Sequence, residues 1–190
     1  MLNVAVILGT TRPNRASGPI GTWVMEHAAK KEGWNAELID LRDWPLPFFN
    51  EEQPIMALGG NYSVPLAKEW SKKISSMDAF IVVTAEYNHG YPAVLKNALD
   101  YLYTEWCNKP VAFVAYGNAG GARSVEQLRE VAGELQMHDI REAVHVMAPW
   151  AAIKDEVFMQ GEIYEKKLGM TLSQLDWWAQ LLKKGRDGAA

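Results

Sequence analysis

Val4 to Leu8 is an unbroken apolar run, and Gly9 ends it. A strand with one face in water alternates polar and apolar residues, so a run without alternation calls for burial on both faces, as in a parallel sheet. After a polar loop, Ile20, Trp23, Val24, His27 and Ala28 recur at helical spacing. Ser17 or Gly18 caps this helix, and Pro19 stands in the first turn, where a missing N–H costs nothing. The unit of strand, loop and helix then repeats. Ala36 to Leu41 predicts a second strand, Pro65 to Ser75 a helix, and Ala79 to Thr84 a third strand rich in β-branched residues. A helix over Pro92 to Tyr103, a strand over Val111 to Tyr116 and a helix over Arg123 to Leu135 follow, then a last strand over Val144 to Met147 and a last helix over Leu172 to Leu182.

Five strands alternating with helices predict an α/β chain: a five-stranded parallel sheet, doubly wound, with helices on both faces, of flavodoxin-like type. A barrel of the same alternation needs eight units and about 250 residues, more than the 190 present. One domain over 1–190 is expected, with Lys183 to Ala190 as a frayed tail. Trp44 to Pro54 holds prolines at 45, 47 and 54, which excludes regular structure and makes it a long loop. In open sheets of this kind ligands bind beyond the carboxyl ends of the strands, so the loops after Leu8, Thr84 and Tyr116 form the candidate site.

The first loop, Gly9 to Gly18, offers three hydroxyls and two guanidinium groups just before a helix start, where free N–H groups and the positive dipole end favour an anion. The whole chain carries net charge −4, yet its first acidic residue is Glu26. The sign is therefore reversed where an anion would sit. The loop is neither a Walker loop nor a Gly-x-Gly-x-x-Gly turn. The second loop, Ala85 to Pro92, brings an amide and two phenols to a flat, polar-edged ring, and the third, Tyr116 to Arg123, has three glycines that let backbone approach a ligand.

Gly9-Thr10-Thr11-Arg12 with Ser17, then Glu86-Tyr87-Asn88, Leu95-Lys96-Asn97-Ala98-Leu99-Asp100 and the Gly-rich third loop resemble the NADPH-dependent FMN reductase family. Asp40-Leu41 followed by Trp44-Pro45-Leu46-Pro47-Phe48 adds to the likeness, which runs from about residue 4 to 150. The resemblance implies FMN as cofactor and NADPH or NADH as co-substrate. It assigns the FMN phosphate to Thr10, Arg12, Ser17 and the amides of Gly18 and Ile20; the ring and ribityl chain to Glu86, Tyr87 and Asn88; and the pyrimidine edge to Gly117, Gly120 and Gly121. Ala85 stands where the family has Pro, and His89 where it has Ser or Thr.

By the same resemblance, hydride passes from the nicotinamide to bound flavin and on to a small-molecule acceptor: free flavin, a quinone, an azo compound or a metal oxyanion. The cofactor performs the redox step, so no catalytic side chain is expected, and Glu86 reads as structural. Phe48 and Phe49 wall the ring or face a second subunit. Tyr101, Tyr103 and Trp106, lying outside the helix's apolar stripe, predict a homodimer or homotetramer. The alternative is an FMN-binding electron carrier or redox-sensing module.

Other chemistries find no residues. Cys107 is the one cysteine and is followed six positions on by Phe113, not the arginine of a phosphatase loop. The four histidines show no metal-ligand spacing. Net negative charge argues against nucleic acid, no apolar run spans a bilayer, and a cytoplasmic location is the expectation.

Overall fold

The computed structural model describes residues 1–159 and 161–188. Its elements are β1 (Leu2–Leu8), α1 (Ser17–Ala29), β2 (Trp34–Asp40), α2 (Ile55–Leu58), α3 (Pro65–Ser75), β3 (Ala79–Ala85), α4 (Ala93–Asp100), β4 (Pro110–Gly117), α5 (Ala122–Glu134), β5 (His138–Met147), β6 (Ile153–Lys154), β7 (Val157–Phe158) and α6 (Glu162–Arg186). The five long strands form one parallel sheet in the order β2-β1-β3-β4-β5, and β6 and β7 make a small antiparallel hairpin. This is the flavodoxin-like order, in which the strand sequence changes its direction of travel across the sheet between β1 and β3.

The unbroken apolar runs feed two cores at once. Ala5 and Ile7 of β1 point into the layer under α3, α4 and α5, whereas Val4, Val6 and Leu8 point into the layer under α1 and α6. Trp70 and Trp106 lie fully buried in the first layer, and Trp23 and Trp34 in the second.

Four expectations need correction. The last strand begins at His138, not Val144: as the sheet's edge it alternates buried and exposed residues, and Asp139, Arg141 and Glu142 break the apolar signal. The last helix runs over 25 residues, from Glu162, because Leu168, Thr171 and Leu172 bury a stripe that the polar residues between them hide. Its end is no frayed tail, since Lys183 (2.8 Å) and Arg186 (2.9 Å) both bind Asp78; Ala189 and Ala190 lie outside the described residues. Finally, Tyr101 and Trp106 are buried in the protomer's own core, with Trp106 against Phe80, so they present no subunit contact.

Candidate active site

The carboxyl ends of the strands open into a cleft of about 900 Å³. Arg12, Gly18, Glu86, Tyr87 and Gly117 of the expected residues line it. The others occupy different positions, each for a local reason.

In the first loop, Thr10 and Ser17 are fully buried and their hydroxyls meet at 2.6 Å. They tie the loop's two ends together. Burial raises the pKa of the Tyr116 phenol beneath them, an effect partly offset by its hydrogen bonds to Thr10 and Ser17. The Ile20 amide donates to the Ala16 carbonyl at 3.2 Å, inside the helix. The amides of the first helical turn precede any such partner, and that turn contains no acidic residue. Arg12 is exposed on the cleft and has no ion-pair partner among the described residues.

Arg15, the loop's second arginine, turns inward and is 7% exposed. It donates to the Thr10 carbonyl and to Asp40, whose Oδ1 lies at 2.8 Å. Arg42, in the short 3-10 turn Leu41–Asp43, grips the same carboxylate through Nε at 3.0 Å and Nη2 at 2.9 Å, and also lines the cleft. Burial alone would push the Asp40 carboxyl up; the hydrogen bonds from Arg15 and Arg42 outweigh it and hold it at about 2.

The second loop folds into a tight turn in which Tyr87 and Gly90 exchange N–H to O=C bonds of 2.8 and 3.0 Å. Asn88 and His89 both take positive φ, 51° and 70°, which is the conformation of a primed hairpin turn. Asn88 is exposed and does not face the cleft. Glu86 is committed to Arg123, whose Nε donates at 2.6 Å, and that guanidinium also meets His89 Nε2 at 2.9 Å. A carboxylate so engaged is a strut between two loops, in keeping with its structural reading.

In the third loop Gly117 lines the cleft, whereas Gly120 and Gly121 are buried and take φ of 64° and 72°. A Cβ on Gly121 would stand 2.6 Å from Ala115 Cβ and 2.8 Å from the Tyr116 nitrogen, so only glycine lets this loop close on β4. Phe48 and Phe49 do not reach the cleft: Phe49 packs edge-on against Tyr101, and Phe48 is 84% exposed.

Trp150, Ile153, Glu156 and Arg42 also line the cleft and were missed in the sequence. Trp150 sits in the turn Pro149–Ala151 directly after β5, and Ile153 and Glu156 belong to the hairpin that follows. Phe158 anchors that hairpin on Trp23 of α1, ring centroids 5.2 Å apart. The rule that ligands gather at carboxyl strand ends, extended to the last strand, points to Met147-Ala148-Pro149-Trp150.

Residues 2–151 match the model of the NADPH-dependent FMN reductase family. The chain belongs to this family. The reductase is 44% identical over 135 residues to an NAD(P)H-dependent FMN reductase of Schizosaccharomyces pombe, covering 70% of this chain and 67% of that one. It is 34% identical over 112 residues to an NAD(P)H:quinone oxidoreductase of Solanum tuberosum, covering 57% of this chain and 55% of the relative. Its fold is that of FerB, a flavoenzyme NAD(P)H:(acceptor) oxidoreductase from Paracoccus denitrificans, with TM-score 0.74, 21% identity and coverage of 95% and 98% of the two chains. The reductase is thus an FMN-dependent NAD(P)H oxidoreductase, and the electron-carrier alternative is set aside. Among the described residues no helix is long and apolar enough to cross a membrane.

Proposed function

We propose that the cleft holds FMN with its phosphate at the start of α1 and its ring along the Glu86-Tyr87 turn and Gly117, and that a small-molecule acceptor then takes the reducing equivalents at the same face. The observation that carries this reading is Arg12: a guanidinium without an ion-pair partner among the described residues, beside the open first turn of α1 and in one cleft with Tyr87 and Gly117. The donor set suits the cofactor. A phosphate needs a fixed cation and free amides, and a flat ring needs an aromatic flank and backbone without side chains.

When bound, FMN supplies the hydride chemistry between the nicotinamide and the acceptor. Arg12 and the Gly18 amide neutralise and orient the phosphate. Thr10 and Ser17 work from below by fixing the loop's ends, and Gly120 and Gly121 let the third loop close. The Ile20 amide and Asn88 take no part in this reading, since one is bonded within α1 and the other faces solvent. Glu86, held by Arg123, sets the distance between the second and third loops. Trp150, which lines the same cleft, offers a second aromatic flank to the ring.

Quinone as an acceptor is supported by the potato relative's name. A homodimer or homotetramer in the cytoplasm completes the proposal. Its subunit contact rests on exposed Phe48, and its location on a single cysteine and the lack of any disulfide. The purified protein is expected to carry flavin absorbance that bleaches when NADPH or NADH is added without oxygen. Flavin that binds yet stays oxidised with both nicotinamides would sink the reading.

A further inference from the structure

Asp40 ends β2 at the point where its register partner, Leu8, ends β1, so its carboxylate stands beside the first loop. Five donor contacts converge on it. Arg15 contributes Nη1 at 2.8 Å and Nη2 beside it. Arg42 contributes its backbone amide at 2.9 Å, Nε at 3.0 Å and Nη2 at 2.9 Å. Arg15 in turn donates to the Thr10 carbonyl, so a continuous chain of contacts runs from the end of β2 to the loop after β1. Arg12, Arg15 and Arg42 all line the same cleft.

We propose that Asp40 is a positioning residue for the cleft's anion corner, holding Arg15 and Arg42 so that the site distinguishes a phosphate-bearing flavin from the same flavin without phosphate. The inference rests on the placement of the FMN phosphate at α1 given above. Asp40 takes one fork of each guanidinium, Nη1 and Nη2 of Arg15 and Nε and Nη2 of Arg42, and so fixes both positive charges at the cleft, whereas two long side chains left free would each have to be ordered when the anion arrives. Asp40 does that ordering beforehand. A carboxylate near a phosphate is unfavourable by charge alone, so the two possible roles of Asp40 have opposite signs. If it merely repels, its removal strengthens FMN binding; if it positions, its removal weakens it.

The full-length protein, stripped of flavin, is titrated with FMN and with riboflavin, and the two dissociation constants are compared for the unmodified chain, Asp40→Asn and Asp40→Glu. Asp40→Asn is expected to weaken FMN by about tenfold or more and to shift riboflavin by less than about twofold. Asp40→Glu keeps the charge but moves the carboxylate, and is expected to fall between the two. Should Asp40→Asn fail to fold, Asp40→Glu decides alone, because an unchanged preference for FMN there overturns the positioning role. Tighter FMN binding by Asp40→Asn, or equal losses for both flavins, also overturns it. An unmodified protein that binds FMN and riboflavin equally well would refute the phosphate placement itself, and the positioning role with it.

Discussion

At the scale of single residues, the site is built from commitments that leave few groups free. Of the two arginines in the first loop, Arg15 is anchored by Asp40 and the loop's own backbone, and Arg12 has no ion-pair partner among the described residues. The same contacts set an acid dependence. Asp40 titrates at about 2 in the folded protein against an ordinary 3.8, so between those values the unfolded chain binds a proton that the folded one refuses. Its stabilisation, about 2 kcal/mol, is fully present above pH 4 and is lost as pH falls towards 2. Asp78 acts in the same sense: burial would raise its pKa, and Lys183, the Asn3 amide and Arg186 bring it below the usual range. Urea unfolding is therefore expected to show Asp40→Asn less stable by about 2 kcal/mol at pH 7, with the deficit shrinking steadily below pH 4. A deficit independent of pH would contradict the ion-pair account.

At the scale of elements, α6 is a long clasp whose far end lies away from the cleft. Lys183 and Arg186 reach Asp78 at the amino end of β3, and Arg186 also donates to the Asn108 carbonyl at 2.6 Å. Removing residues 183–190 is expected to cost about 1–3 kcal/mol in thermal or urea unfolding while leaving the FMN dissociation constant unchanged. Loss of flavin affinity would show that the two ends of the sheet are coupled. Elements of this kind mark where sequence reading succeeded and failed. β1, β3 and β4 were legible because burial on both faces leaves unbroken apolar runs. The first six residues of β5 and the first ten of α6 were not, because an edge strand and a half-exposed helix dilute the apolar signal with charge. In the candidate site, strand ends led to three loops that share one cleft, yet nothing in the sequence ties Arg15 to Asp40, 25 positions away. Nor could spacing say that Gly120 and Gly121 are buried while Gly117 lines the cleft.

At the scale of the whole molecule, the two layers take half of the tryptophans into the interior. Trp23, Trp34, Trp70 and Trp106 are buried, and Phe48, Trp150 and Trp177 are the aromatic rings left most exposed among the described residues. Trp150 faces the cleft. Phe48 sits on a loop held firmly to α4: Asn97 accepts the Phe49 amide at 2.9 Å and donates to the Pro47 carbonyl at 2.8 Å. An apolar ring displayed on such a clamped loop suits a second subunit. Sedimentation is expected to give at least twice the 21.3 kDa of one chain, and Phe48→Glu to shift the population towards monomer. A species that sediments as a single chain at micromolar concentration would remove the oligomer proposal.

The pairing of Leu8 with Asp40 across β1 and β2 also governs how this chain tolerates insertions. One residue added inside β2 would turn every following side chain to the opposite face of the sheet. The carboxylate would leave the cleft mouth, and both guanidinium groups would lose their anchor. The stretch from Trp44 to Val64 lies beyond that register, so residues can be gained or lost there without moving Asp40. Length variation among engineered forms of this reductase therefore belongs after the 3-10 turn, and the spacing from Trp34 to Arg42 must stay as it is.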